Sequence, residues 1–283
     1  MLPVMALEPV DRGRLIQQLQ WRIEMISVYD ALIEGIPEDL QVDDVYTTHY
    51  GVIVKSGGYT GISEFRDELE TRPLMRNGEL AEMSLKEMAG LIKSWNISEA
   101  AIGHAAMNAY YNSPELAEKN GLVLTDSLHS EDRNADPFIT YQKAVRGKKV
   151  VVVGHFPYLE QLFRPVCDLY IIENVPFVGD HPEQAAEYII PGSDFVFIGA
   201  LTFIDKRLPR MLELAKDAFV GIVGPVTTLS PILFDYGVDE LDGFVVKDTS
   251  IIEALFKGQR TGKIYSSGQK VSLRKAEYLD HIR

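Results

Sequence analysis

The spacing of apolar residues predicts helices and a small sheet in the first part of the chain. From about Val10 to Ile36, isoleucine and leucine recur at steps of three and four residues, which predicts a helix with one apolar face. Residues 42–63 are rich in β-branched and aromatic residues interrupted by glycines, and this pattern predicts a short antiparallel meander. Two further helices are predicted to begin near Ser84 and Ser98, which are suitable capping residues. The first part is therefore expected to be an α+β unit.

The second part of the chain has a different pattern of apolar residues. Five apolar, β-rich runs (KKVVVVG, CDLYIIEN, SDFVFIGA, DAFVGIVGP and DGFVVKD) alternate with loops or helical patterns. Runs this apolar are typical of strands covered on both faces, so the alternation predicts a doubly wound, Rossmann-like parallel sheet. We expect the α+β domain over residues 1–125, a polar linker over 126–147, and the Rossmann-like domain over 148–283 with a basic C-terminal tail.

Composition narrows the classes of function. The chain has 283 residues and a net charge of −13, which gives no general field to attract nucleic acid. Most of this charge precedes Lys148, so a small anion bound by the second domain is not disfavoured. The single cysteine, Cys167, excludes an internal disulfide and a cysteine-rich metal site. The N-terminus has no signal-peptide pattern and no apolar stretch is long enough to span a membrane, so we expect a cytoplasmic protein.

Candidate ligand-binding residues follow the predicted strands. In an open parallel sheet, ligands bind beyond the carboxyl ends of the strands. Gly154, His155 and Pro157 follow the first strand, and Glu173 ends the second strand, 19 residues after Gly154. A dinucleotide fingerprint would need three glycines here and only one is present, so NAD binding is disfavoured relative to another small ligand. His155 could serve as an acid/base or as a metal ligand, or could be a structural loop residue.

The segment after the fourth strand, GPVTTLSP, is the most informative. Gly224 and Pro225 end the strand, and Thr227, Thr228 and Ser230 offer hydroxyl groups before a predicted helix. Hydroxyl and backbone N–H groups at a helix N-terminus suit a carboxylate or phosphate. We therefore favour ligand contact over capping alone at these positions.

A polar pair lies on the predicted helix AIGHAAMNAYYN. His104 and Asn108 are four residues apart and share one helical face among alanines. Polar groups on such a face need partners if they are buried. The pair either makes hydrogen bonds across a domain interface or projects into a cleft, and the sequence leaves both open.

Three segments together carry a family resemblance. AIGHAAMNA, VVVVGHFP and GPVTTLSPILFDYGVDELDGF resemble the proteins described as putative heavy-metal chelation proteins of unknown function. The resemblance implies an enolase-N-terminal-like α+β domain, a Rossmann-like domain, and an active site in the cleft between them. One loop departs from the family pattern, at residues 200–205. The positions that match the family's motifs are Asn108, Gly154, His155, Pro157, Glu173, Gly224, Pro225, Thr227 and Thr228.

These residues support a metal ion or a metal-chelating small molecule as the ligand of the interdomain cleft. In this hypothesis His155 and Glu173 bind a divalent transition metal, with His104 as a further donor. The alternatives are an enzyme that acts on a small anionic metabolite, with His155, Asn108 and Glu173 as catalytic residues, or a non-catalytic binding module. All three hypotheses require these side chains and Thr227 to border one cavity. The sequence also leaves open a homodimer that forms through the meander, although no residue pattern requires one.

Overall fold

The computed structural model describes residues 28–64, 74, 80, 83–125, 136–156 and 158–283. Within these residues, the N-terminal unit is a three-stranded antiparallel sheet packed against helices. Its elements are α1 (residues 28–34), β1 (Asp44–Thr48), β2 (Gly51–Ser56), β3 (Tyr59–Ser63), α2 (Leu85–Ala89), a 3-10 turn (Gly90–Lys93), α3 (Ile97–Tyr111) and α4 (Pro114–Lys119). The meander and the helix capped by Ser84 are thus confirmed, and the part of the first predicted helix before residue 28 lies outside the described residues.

Helix α3 is the central element of this unit, and nearly every side chain on it is buried. Its small residues let β3 lie against its backbone: a Cβ on Gly61 would come within 2.0 Å of the Ala105 carbonyl oxygen. The helix begins two residues earlier than Ser98 implied, because Asn96 is the cap and its side chain accepts a hydrogen bond from the Glu99 amide at 3.1 Å.

The second unit is built on a seven-stranded sheet within the described part of the chain. The five predicted runs all form strands of this sheet. The elements are α5 (Pro137–Tyr141), β4 (Lys149–Val153), α6 (Leu159–Phe163), β5 (Asp168–Glu173), β6 (His181–Pro182), a 3-10 turn (Glu183–Ala185), α7 (Ala186–Ile189), β7 (Phe195–Gly199), a 3-10 turn (Ala200–Phe203), α8 (Leu208–Leu214), β8 (Phe219–Val223), a 3-10 helix (Pro231–Tyr236), β9 (Glu240–Val246), α9 (Thr249–Phe256), a 3-10 turn (Ile264–Ser267), β10 (Gly268–Arg274) and α10 (Lys275–His281).

The strand order, β10-β9-β8-β7-β4-β5-β6, is that of a doubly wound sheet. All neighbours are parallel except β10, which pairs antiparallel with β9. The chain moves from β4 outward to β5 and β6, then returns to the other edge of β4 as β7. The point where the direction reverses therefore lies between β4 and β7, and a crevice is expected at the carboxyl ends of these two strands.

Both faces of the sheet are covered, which explains why its strands are apolar at successive positions. On β4, Val151 and Val153 face the core that contains α3, while Val150 and Val152 face a second core around Phe138 and Phe163. A one-sided sheet would instead alternate apolar and polar residues.

Two parts of the second unit differ from expectation. The C-terminal segment, which lies within the expected bounds 148–283, forms the edge strand β10 and helix α10 rather than a tail. Of the expected linker, residues 126–135 lie outside the described residues. Residues 137–141 form helix α5, whose Phe138 is fully buried in the core of the second unit. That unit therefore begins before Lys148.

A buried acidic pair lies on one face of β9. Glu240 and Asp242 are both buried, and around them Tyr141 donates a hydrogen bond to Glu240 and Ser272 donates one to Asp242 at 2.5 Å. Arg274 lies 3.2 Å from the Glu240 carboxylate. Burial, reinforced by the charge of Glu240, raises the pKa of Asp242 well above its ordinary value.

Because the pKa of Asp242 is raised on folding, its contribution to the free energy of unfolding should fall as the pH rises. The folded state binds the proton more tightly than the unfolded chain, so the contribution is complete below about pH 4 and is lost as the pH passes the raised pKa. We expect Asp242→Asn to flatten the pH dependence above pH 5 and to stabilise the protein at pH 8. Urea unfolding of both proteins from pH 5 to 8 measures this, and parallel curves would contradict the assignment.

Candidate functional site

A cavity of about 160 Å³ lies where the carboxyl ends of β4 and β7 diverge. This is the crevice that the reversal in strand order predicts. Three neighbouring parallel strands, β4, β7 and β8, each end at the cavity with a glycine or are followed by one. The lining residues are Glu64, Ile97, Val153, Gly154, His155, Phe156, Glu173, Asn174, Gly199, Ala200, Leu201, Thr202, Ile204, Asp205, Arg207, Val223, Gly224 and Pro225. We call it the switch-point cavity.

The glycines at these strand ends keep the backbone open to the cavity. Gly154 and Gly224 adopt φ values of 111° and 134°, where a side chain would be strained. At Gly199 a Cβ would lie 2.8 Å from the Val153 carbonyl oxygen. The backbone of each strand end is therefore available to a ligand without an intervening side chain.

Glu173 fixes the loop after β4 to the end of β5. Its carboxylate accepts hydrogen bonds from the backbone amides of His155 at 3.1 Å and Asn174 at 2.7 Å. The side chain lines the switch-point cavity as the sequence predicted, but both of its oxygens already hold backbone groups. Its evident structural task is to position His155.

His155 lines the cavity with its ring oriented by an acidic residue. The Asp180 Oδ2 atom lies 2.9 Å from the His155 Nδ1 atom, and it also accepts a hydrogen bond from the Phe177 amide at 3.0 Å. The Phe177 ring packs against the imidazole at a centroid distance of 4.8 Å. With Nδ1 engaged by Asp180, Nε2 is the nitrogen left for a ligand. Asp180 is not among the residues predicted from the sequence, where its position in the loop after β5 is the only signal for it.

Arg207 is a second cavity residue that was not predicted from the sequence. Its side chain is only 10% exposed and is bound to Asp205 through Nε at 2.8 Å and Nη2 at 2.6 Å. Burial lowers the pKa of Arg207, but the hydrogen bonds and charge of Asp205 outweigh burial, so its pKa is raised and the group stays cationic. Its Nη1 atom is buried and has no hydrogen-bond partner among the described residues.

A strained turn brings this ion pair together. Lys206, between Asp205 and Arg207, has a φ of 68°, the single positive value outside glycine in the described chain. The left-handed residue reverses the chain so that both flanking side chains reach the cavity. This turn lies directly after the segment that departs from the family pattern.

The structure does not bring all the predicted residues to one cavity. His155, Glu173, Gly154, Gly224 and Pro225 do line it. The residues His104, Asn108, Thr227 and Thr228 are completely buried elsewhere, and Pro157 lies outside the described residues. The expectation of one shared cavity was therefore wrong for these four side chains.

Asn108 instead joins the two units. Its amide donates to the carbonyl oxygens of Ile62 at 2.9 Å and Val226 at 2.8 Å, and its oxygen accepts from the Thr228 hydroxyl at 2.7 Å. One turn later, Asn112 donates to the carbonyl oxygens of Thr227 and Phe244 and accepts from the Leu229 amide. The backbone of GPVTTLSP and the Thr228 hydroxyl thus contact the polar face of α3, so Asn108 makes hydrogen bonds across an interface rather than projecting into a cleft.

His104 continues the same face of α3 but makes a different contact. Its Nδ1 lies 3.0 Å from the Ser63 hydroxyl, and its ring stacks on Phe203 at 5.0 Å. Burial, with a smaller effect of nearby Lys206, lowers the pKa of His104 to about 3. It is therefore neutral at physiological pH and packs behind the cavity wall.

Because Asn108 satisfies three buried groups, we predict that Asn108→Ala lowers the free energy of unfolding by about 3 kcal/mol. Thr228→Val removes only one of these hydrogen bonds and should cost about 1 kcal/mol. Urea unfolding monitored by circular dichroism measures both. Equal, small effects would mean that the interface does not depend on the Asn108 amide.

The donor set does not make a complete protein metal centre. Among the described residues, no group of three or more His, Cys, Asp or Glu side chains is arranged to hold a metal ion. His155 and Glu173 are the two predicted ligands at the cavity, and Glu173 already accepts two backbone amides. The Cys167 thiol donates to the Phe163 carbonyl, and burial raises its pKa to about 11, which disfavours the thiolate that metals bind.

Comparisons with known proteins identify the family. Two family models, DUF364 and DUF4213, both described as "putative heavy-metal chelation", match residues 136–274 and 29–111. A solved structure of a DUF364 protein with unknown function from Desulfitobacterium hafniense DCB-2 is 45% identical, with a TM-score of 0.81 over 89% of this chain and 99% of that one. The chain belongs to this family.

A second DUF364 structure, from Pyrococcus horikoshii, is 20% identical, with a TM-score of 0.71 over 89% of this chain and 99% of that one. At that identity it supports the shared fold alone.

None of the curated proteins is significantly similar to the chain. None of the described helices combines the length and apolarity that crossing a membrane requires. The coarse expectation from the resemblance, a heavy-metal chelation family with an α/β fold, is thus confirmed.

Proposed function

We propose that this DUF364 family member binds a small, metal-chelating organic anion in the switch-point cavity. The ligand supplies most of the metal's donor atoms through its own carboxylate, phosphate or hydroxyl groups. The protein recognises the anionic head of that ligand, with or without its metal.

The observation that carries this proposal is the Nη1 group of Arg207. A buried cationic N–H group without a partner is costly, so such groups are normally paired with an anion. Asp205 occupies Nε and Nη2, which fixes the guanidinium plane and leaves Nη1 as the unused donor. A carboxylate or phosphate oxygen in the cavity would satisfy it with a charge-assisted hydrogen bond.

The size and donors of the cavity favour a chelating molecule over a bare ion. Two potential metal ligands, His155 and Glu173, would leave most coordination positions of a transition metal to other donors. A volume of about 160 Å³ accommodates the head group of a small acid. His155 lies at the same cavity, where its Nε2 could contact the bound head or complete the coordination of its metal.

Iminodiacetate, a two-carboxylate chelator, is a suitable probe for this site. We expect it to bind in isothermal titration calorimetry and Arg207→Gln to weaken binding roughly tenfold or more, because a charge-assisted hydrogen bond is lost. Arg207→Lys should weaken it less, since the charge remains. Arg146→Gln, an exposed arginine away from the cavity, is the matched control. Unchanged affinity in a folded Arg207→Gln protein would refute the assignment.

Binding measurements with nickel, alone and as its iminodiacetate complex, distinguish this proposal from direct chelation of the metal by the protein. We expect the nickel complex of iminodiacetate to bind more tightly than nickel chloride, and Arg207→Gln to weaken binding of the complex. Stoichiometric uptake of nickel alone that disappears in His155→Ala would instead support a protein metal site.

Catalysis on the same anion is a second candidate function, favoured by the His155–Asp180 pair. An imidazole held by a carboxylate through Nδ1 and open at Nε2 is the usual arrangement of a general acid/base. If a metabolite screen finds turnover, we expect His155→Gln to abolish it and Asp180→Asn to shift its pH profile, while iminodiacetate binding persists. Turnover that survives His155→Gln would exclude this role.

A further inference from the structure

A second cavity of about 570 Å³ lies beside the switch-point cavity and shares two of its wall residues, Glu64 and Pro225. We call it the side cavity. Its volume is within the usual range of 300–1,000 Å³ for small-ligand sites, whereas the switch-point cavity is below that range. We infer that the side cavity binds the apolar, acid-bearing arm of a ligand whose anionic head lies in the switch-point cavity.

Apolar side chains from both structural units form the floor of the side cavity. Ile62 comes from β3, Val226 from the loop after β8, and Leu255 and Phe256 from the end of α9, and all four are buried. Phe256 packs closely against Gly51 of β2, where an added Cβ would lie 2.8 Å from its ring. An aromatic or aliphatic group of a ligand would be removed from water on this floor.

The rim of the side cavity is basic and polar. Gly258 and Gly262, with φ values of 68° and 141°, bend the loop after α9 so that Arg260 and Thr261 line the cavity. The Arg260 amide is anchored to the Ala254 carbonyl at 3.0 Å. Within the described residues the exposed Arg260 side chain makes no hydrogen bond or close ion pair. Its charge is the smallest of the effects that lower the pKa of Asp248, so its N–H groups remain for an acid group of a ligand.

The shared wall argues for one ligand in both cavities. Glu64 and Pro225 form a wall common to both cavities, so one ligand of suitable length can reach from one cavity into the other. The expected ligand therefore has a chelating anionic head and an apolar arm that ends in an acid. The bridging step rests on the proposed function, whereas the side cavity itself does not.

Three related probes test by calorimetry whether one ligand occupies both cavities: iminodiacetate, N-benzyliminodiacetate and N-(4-carboxybenzyl)iminodiacetate. We expect the benzyl arm to improve affinity by roughly tenfold, and the added carboxylate to improve it again. Thr261→Trp, which fills the side cavity from its exposed rim, should abolish the gain from the benzyl arm. Arg260→Gln should abolish only the gain from the carboxylate, and Arg146→Gln should retain both. Equal affinities for the three probes would overturn the inference while leaving the head site intact.

An aromatic sulfonate tests the side cavity without the head site. We expect 8-anilinonaphthalene-1-sulfonate to fluoresce on binding, with affinity that falls about fivefold or more in Arg260→Gln and Thr261→Trp but not in Arg207→Gln. If this pattern holds while iminodiacetate does not bind, the proposed function fails and the side cavity stands. Sulfonate binding that is indifferent to both rim variants, all of them folded by circular dichroism, would refute the side cavity.

Discussion

The architecture depends on the contact between two asparagine amides at the C-terminal end of α3, Asn108 and the capping residue Asn112, and the second unit. Asn108 and Asn112 are one helical turn apart, and both are buried with their donors and acceptors engaged. In the second unit their partners are backbone carbonyls of the loop after β8 and of β9, the Leu229 amide and the Thr228 hydroxyl, while Asn108 also donates to the Ile62 carbonyl of β3. Since buried peptide groups must be paired, this contact selects one docking of α3 against the sheet.

That docking determines the shape of the candidate site. The same loop begins with Gly224 and Pro225, so fixing its later residues holds these two at the switch-point cavity. Glu64 and Ile97 of the N-terminal unit complete the wall. A doubly wound sheet alone would leave its crevice open on this side, and the N-terminal unit converts it into a lined cavity with a second compartment.

The turn at Lys206 gives the site its cationic group, Arg207, in a lining that also contains the carboxylates of Glu64, Glu173 and Asp205. A left-handed, non-glycine residue costs of order 1 kcal/mol and persists where surrounding contacts overdetermine it. Here the left-handed backbone at Lys206 brings Asp205 and Arg207 into an ion pair. The Nη1 donor of Arg207 has no hydrogen-bond partner among the described residues. Together with His155 and Asp180 it gives the cavity a cation and an oriented imidazole, which suits an anionic ligand that carries its own metal donors.

The sequence by itself determined the meander and five strands of the seven-stranded sheet. Apolar periodicity located the meander and all five strand runs, because burial on one face or on both imposes a local pattern. The rule on strand ends also selected Gly154, His155, Glu173 and Gly224 correctly as cavity residues. The tertiary structure alone decided which polar groups meet. The contacts of Asn108 and Thr228, of His155 and Asp180, and of Arg207 with the cavity depend on docking and loop paths between residues distant in sequence. Side-chain type shows that a group needs a partner, and only the fold shows whether that partner is the protein or a ligand.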